Sequence, residues 1–368
     1  MPALTGCNTV YSNYRELQQL LVIQTLGLDK SHGGVTVSMA AAAEANGTAP
    51  KQICAQGGTI ATAIDRAYRQ SYEQEIFFSH ANHLLIGEQA AEDGIDSFLD
   101  YLCQSATLRI DMPLYIVTGG TANEAVTKVG DDERGISEVM ESVKETFASP
   151  SNSHVFTVAD TVKNLQRYGS ALTCAVAVTE SSETSGADGE TTFTAAPSGY
   201  AVIRDGRLCK LLSYDQGLAI GLMLGSVPIR TIEVKDMYGK ASTLEIETGS
   251  ADIKPIWAED GSLQGLELKV EVEADLIESG TAGSDLGADY LNHLTAQLEA
   301  ALSEQISQLL KTSRSLRADF LGLAGSVERS SPERYAALTQ SFPELLPSLE
   351  LQLTVSGSLR HTNDMKEQ

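Results

Sequence analysis

Positive charge is scarce in this chain. Against 49 Asp and Glu there are only 26 Lys and Arg, which leaves a net charge of −23. A polyanion gains nothing by releasing the counterions of another polyanion, so general nucleic-acid binding is excluded. Cysteine is sparse too: the five residues are Cys7, Cys54, Cys103, Cys174 and Cys209, and no two form a C-x-x-C pair. That spacing excludes a zinc ribbon and a thioredoxin-type motif, and a chain of 368 residues needs no disulfide framework. Apart from Cys7, the cysteines read as small buried or half-buried side chains. Long apolar runs are missing, since no stretch approaches the ~18 residues of a spanning helix. There is no G-x-S-x-G elbow, phosphate-binding P-loop, G-x-G-x-x-G turn, H-E-x-x-H pair or D-x-D-x-D-G calcium loop. With 42% apolar and 20% charged residues, the composition is that of a folded protein long enough for two or three domains.

Residues 8–178 alternate strand and helix signals, which predicts a mixed sheet with helices packed on it, an N-terminal α/β domain. Leu20 to Ile23, Val35 to Met39, His83 to Ile86 and Leu114 to Val117 read as strands. Thr59 reads as the N-cap of a helix burying Ile60, Ile64, Ala67 and Tyr68. A helix from Glu88 would bury Ile95, Phe98, Leu99 and Leu102, and another is expected over Thr121 to Val129. Residues 179–198 (TESSETSGADGETTFTAAPS) are nearly without large apolar groups and read as an acidic linker or long loop closing the first domain. A hairpin around Asp205-Gly206 and an apolar helix then make a small middle domain over 199–260. Strict alternation through Leu266, Leu268, Val270, Val272 and Ala274 marks a strand with one wet face. Leu291, Leu294, Leu298, Leu302, Ile306 and Leu309 mark a helix of about six turns. Leu349 to Val355 alternates again. The expected C-terminal domain, 261–361, is α+β, with the long helix laid across an antiparallel sheet, and 362–368 is a polar tail. The overall class is α/β and α+β in three mixed domains.

Four features invite a chemical reading. His80 and His83 are spaced as a metal pair but lack an evident third ligand. Val117-Thr118-Gly119-Gly120-Thr121 resembles a phosphate cradle, although a strand-to-helix turn requires the same residues. Gly217, Gly221 and Gly225 repeat at four-residue spacing in an apolar run of about ten residues, too short to span a bilayer, which points to a buried helix with a small face. Finally, Leu4-Thr5-Gly6-Cys7 resembles the lipobox of bacterial lipoproteins, in which the cysteine thiol becomes linked to diacylglycerol. Six residues cannot hold the basic and apolar regions of a signal peptide, so residues 1–7 read as the remnant of a longer leader.

The ordered set of short motifs resembles the Ger(x)C family of spore germinant receptor C subunits. It begins with Tyr14-Arg15-Glu16-Leu17 and Leu26-Gly27-Leu28-Asp29. It continues with Phe78 to Ala90, Gly94-Ile95, Leu108-Arg109-Ile110-Asp111 and Gly119-Gly120-Thr121-Ala122. The set closes with Gly199 to Leu208, Leu276-Ile277-Glu278, Ala318 to Leu323 and Phe342-Pro343. The chain departs from the family pattern at Cys103 to Thr107, where Arg-Asp-Pro is common, and at Tyr335, where Trp is common. The resemblance implies a non-catalytic lipoprotein of three α/β or α+β domains, attached through Cys7 to the outer face of the cytoplasmic (inner spore) membrane. It further implies assembly with membrane-embedded A-type and B-type subunits to trigger germination by nutrients. No catalytic, cofactor or metal residues are carried over, and no cofactor is expected. The competing readings are a solute-binding lipoprotein of a transporter, which needs two similar lobes, and an exported hydrolase, which needs a Ser or Cys beside His32, His80, His154 or His293.

Overall fold

The computed structural model describes residues 19–42, 50–72, 74–129, 135–148, 154–180, 192–226, 230–281, 287–339 and 341–360. Two mixed sheets organise them. The first has nine strands in the order β3-β2-β1-β5-β6-β7-β8-β9, with β4 (Glu75–Phe77) paired to β1 off this path. Its centre is parallel: β1 (Leu20–Ser31), β5 (His83–Gly87), β6 (Leu114–Thr118) and β7 (Ser170–Glu180) run together. Strands β2 (Gly34–Ala41) and β3 (Gln52–Gly57) extend one side antiparallel, and β8 (Phe193–Arg204) and β9 (Arg207–Ser213) extend the other. All five residues of β5 are buried, as a strand covered by helices on both faces requires.

On one face lie α1 (Ile60–Gln70), α2 (Glu88–Asp93) and α3 (Asp96–Gln104), sharing a core with Leu26, Leu28, Leu84 and Ile86. Thr59 caps α1 reciprocally with Thr62, and Ile60, Ile64 and Ala67 are buried as their spacing predicts, together with Ala63. Tyr68 is not part of that buried face: it is exposed, with its hydroxyl donating to the Ile76 carbonyl at 3.3 Å. The single helix expected from Glu88 is also corrected. It breaks at Gly94, whose φ of +112° suits only glycine, and the freed Ile95 N–H donates to the Gly206 carbonyl at 2.8 Å.

The opposite face carries α4 (Ala122–Lys128) and α5 (Ile136–Ala148), while α6 (Val158–Tyr168) leads into β7. Its core is continuous with that of the second sheet through α7 (Gly217–Leu224), seven of whose eight residues are buried. A helix apolar all round must lie inside the molecule. Gly217 allows this by leaving room for the Tyr200 ring, whose hydroxyl would lie 2.6 Å from an added Cβ.

The hairpin expected at the start of a middle domain, from 199, pairs with the first sheet. Hairpin β8–β9 registers on β7, with Ser170 opposite Arg204 and Glu180 opposite Phe193, so it completes the first sheet. Residues 192–198, expected in a loop, belong to this ladder or its edge, and 181–191 lie outside the described residues. The Asp-Gly turn specifies a hairpin but not the sheet that the hairpin joins.

The second sheet runs β10 (Arg230–Lys235), β11 (Ala241–Trp257), β12 (Leu263–Glu278), β13 (Glu350–Arg360). It is mixed rather than antiparallel, because β13 pairs parallel to β12 from Gly265 opposite Glu350 to Asp275 opposite Arg360. The cause is the intervening α8 (Ala288–Leu316): it returns the chain to the starting end of β12, which a tight turn cannot do. Helix α8 has 29 residues, about eight turns, and buries Tyr290, Leu294, Leu298, Leu302, Ile306 and Leu309. Glu299 on this helix accepts the Gly357 N–H at 2.8 Å, covering part of the β13 edge. After α8 come α9 (Leu323–Ser330), α10 (Pro332–Ala336) and α11 (Phe342–Leu345). Arg204 donates to the Leu316 carbonyl at 2.6 Å and Tyr168 to Glu328 at 3.1 Å, tying these elements back to the first sheet. No described helix is long and apolar enough to cross a membrane.

Candidate functional site

In sheets with parallel centres, ligands bind beyond the carboxyl ends of the strands. Here that position is occupied by the chain's own acids. Asp29, at the end of β1, is buried, and its two oxygens accept the N–H groups of Ala122 at 2.9 Å and Asn123 at 2.8 Å. Gly87 is required for this approach, since a Cβ there would lie 2.2 Å from Asp29 Oδ1. Glu88 accepts the Gly119 N–H, Thr121 caps α4 reciprocally with Glu124, and Ser38 donates to Asn123 Oδ1 at 2.8 Å. Burial pushes the Asp29 carboxyl up while the backbone N–H groups of Ala122 and Asn123 pull it down; burial prevails. The Gly119-Gly120 turn is thus a strand-to-helix connection whose donors are met by internal carboxylates.

The histidine pair does not act together. His83 is buried in β5, its Nε2 3.3 Å from Glu141 Oε2 on α5, whereas the His80 ring lies against Phe77. Burial lowers the His83 pKa to about 4, with Glu141 opposing and Lys144 assisting. Among the described residues, no three His, Cys, Asp or Glu are grouped to hold a metal. Among the described residues Cys174 is the one buried cysteine; Cys54, Cys103 and Cys209 are exposed, contrary to the sequence expectation. The Cys174 thiol faces the His154 carbonyl at 3.5 Å rather than its ring, and burial pushes its pKa up to about 12. A thiol held protonated in this way is a poor nucleophile. Cys7 lies outside the described residues.

A second ordered point lies at the outer end of the second sheet, in the turn from β10 to β11. Buried Asp236 accepts the N–H groups of Tyr238 and Lys240, each at 2.9 Å, and the Thr281 hydroxyl at 2.7 Å. The Tyr290 hydroxyl of α8 approaches the same carboxylate at 3.4 Å. Sequence reasoning missed both Asp29 and Asp236. The available signals were an acid closing an apolar strand and an Asp-x-x-Gly turn.

Two family models match in chain order. "Spore germination protein N-terminal domain" covers residues 13–178, and "Spore germination B3/ GerAC like, C-terminal" covers 198–363. The chain belongs to the Ger(x)C family. This is a family of germinant receptor C subunits rather than of enzymes. One Ger(x)C relative, spore germination protein KC of Bacillus subtilis (strain 168), is 22% identical over 375 residues, covering 95% of this chain and 91% of its own. The crystal structure of the GerBC protein shares the fold, with a TM-score of 0.56 at 15% identity over 91% of this chain and 96% of that one.

The Ger(x)C motifs fall mainly at turns and strand ends. Leu26 to Asp29 and Gly119 to Ala122 meet at the Asp29 carboxylate. The departure at Cys103 to Thr107 closes α3 and forms an exposed turn in which Ser105 Oγ accepts the Thr107 and Leu108 N–H groups, each at 3.3 Å. Tyr335, at the position of the common Trp, is buried against Phe342.

Proposed function

We propose that this chain is a non-catalytic, lipid-anchored subunit of a nutrient germinant receptor. It is attached through acylated Cys7 to the outer face of the inner spore membrane and assembles there with A-type and B-type membrane subunits to trigger germination. The carrying observation is membership of the Ger(x)C family across both halves of the chain, in order. The lipobox-like Leu4 to Cys7 supplies the attachment point. Support also comes from the strand ends of the first sheet, where Asp29 and Glu88 occupy the donors a small ligand would use.

Two acyl chains anchor a protein stably where one gives marginal binding, so a diacylglyceryl Cys7 outweighs the repulsion between a chain of net charge −23 and anionic lipid. With a lipoprotein signal sequence placed ahead of Leu4, the protein is expected to label with palmitate and pellet with membranes. Cys7→Ala should lose the label and, when expressed without A- and B-type subunits, stay in the supernatant. A Cys7→Ala chain that still behaves as an integral membrane protein without those partners overturns the anchoring. Failure of affinity-purified chain to retain co-expressed A- and B-type subunits overturns the assembly.

A further inference from the structure

The β10–β11 turn combines features that tertiary packing leaves without a use. Met237 is 45% exposed and Tyr238 63% exposed, side by side at the outermost point of a hairpin. Ile277, 56% exposed, lies at the same end of the sheet on β12. Exposed apolar groups scattered singly need no explanation, but these two stand on a turn that is held rigid. The Asp236 carboxylate fixes both following N–H groups and is itself held by Thr281. The turn therefore presents Met237 and Tyr238 in one conformation, and little further ordering entropy is lost on contact. Lys235 and Lys240 flank it, both exposed, in a chain otherwise dominated by acids. Glu233 and Glu278 are set back along the strands, at the level of Thr243.

We propose that the Met237–Tyr238 turn is a membrane-contacting wedge that enters the headgroup layer of an anionic bilayer, with Lys235 and Lys240 reaching its phosphates. The proposal rests on the reading that this chain works at a bilayer surface. Tyrosine suits that layer because its ring is apolar and its hydroxyl wet. A lysine lays its apolar stem along the wedge and keeps its ammonium at the phosphates, where an anionic surface attracts it. A convex tip of two side chains is far below the ~1,000 Å² of a specific protein interface, whereas a fluid lipid interface needs no matching shape. Because the rest of the acidic surface is repelled, contact through this turn sets the orientation of the subunit.

The test uses the full chain held by an N-terminal polyhistidine tag on vesicles of phosphatidylethanolamine and phosphatidylglycerol containing a trace of nickel-chelating lipid. The tag replaces Cys7, so the result does not depend on acylation, and failure of the palmitate experiment leaves it intact. In a Trp257→Phe background, Tyr238→Trp is expected to shift its emission to shorter wavelength on tethering and to lose accessibility to aqueous acrylamide. Tyr72→Trp, at another exposed site, should remain solvent-like. Adding Lys235→Glu and Lys240→Glu should abolish the shift. The unsubstituted chain gives a second readout: Lys235 and Lys240 should lose reactivity towards a water-soluble acetylating reagent on vesicles, while Lys163 should not. Unchanged emission with unchanged lysine reactivity overturns the proposal. So does protection that appears only when the vesicles carry A- and B-type subunits, because the turn then contacts protein.

Discussion

Asp29 and Asp236 are both nearly inaccessible to water, yet one lies at the centre of the nine-stranded sheet and the other at the outermost hairpin of the four-stranded sheet. Asp29 joins β1 to the start of α4, and burial dominates, holding its pKa above the ordinary value. At Asp236 burial also opposes the charged form, but hydrogen bonds from Thr281, Lys240, Tyr238 and Tyr290 outweigh it and hold the pKa low. Similar chemistry thus has two architectural results. The inner carboxylate closes a position where a ligand would otherwise enter, while the outer one stiffens a turn so that its neighbours are displayed.

Breaking the inner contact should have the largest effect. Asp29→Ala leaves the Ala122 and Asn123 N–H groups without their acceptor, and unmet buried donors cost ~1–3 kcal/mol each. We expect a loss of about 4 kcal/mol in urea unfolding; a loss below about 1 kcal/mol would show that water replaces the carboxylate and that the position is open.

The second test separates the sheets by pH. Buried His83 titrates near 4 in the folded chain against 6.5 for the ordinary group. Between these values the unfolded state binds the extra proton, so His83 favours folding above pH 6.5 and this contribution is lost as pH falls towards 4, up to about 3 kcal/mol. Asp236, whose pKa is lowered, loses its contribution only below the ordinary carboxylate range. In unfolding measured from pH 7 to 4, the His83 contribution should therefore be lost while that of Asp236 is kept, and His83→Gln should flatten the profile. An unchanged profile in that variant would assign the acid sensitivity elsewhere.

The smallest effect is expected at the outer turn. Asp236→Ala should destabilise the chain less than either of the other two changes, because the released donors can turn towards water. Amide exchange should accelerate at Tyr238 and Lys240 while the β5 and β6 amides remain protected. Equal acceleration in both sheets would remove the distinction between an inner lock and an outer brace.

What the sequence revealed was periodic and local. Thr59 caps a helix as its spacing predicts, the helix expected from Thr121 starts at Ala122 with Thr121 as its cap, and Leu266 to Ala274 face inward as their alternation requires. The α8 stripe follows the same logic, except that Leu291 is only half-buried. Long-range pairing was not legible. Alternation in β13 identifies a strand but carries no information about its direction relative to β12, and Asp205-Gly206 does not say that its hairpin continues the first sheet. The two aspartates escaped notice for a related reason: the Ala122 N–H and the Thr281 hydroxyl that meet them are 93 and 45 residues away, and the backbone donors of Ala122, Tyr238 and Lys240 leave no compositional trace. The Gly119-Gly120 turn was visible, but its internal anions were not.

The parallel pairing of β12 with β13 has a consequence for biosynthesis. The edge of β12 that receives Glu350 to Arg360 cannot be satisfied until those residues have been made, well after β12 itself and after a local element such as α8, which can form as soon as its own residues are available. During that interval a nascent chain carries an open strand edge beside Leu266, Leu268 and Val270, a template for pairing with another chain. A message truncated before codon 350 would preserve every strand of the first sheet and still yield a product prone to aggregate, so quality control of this protein depends on its last strand.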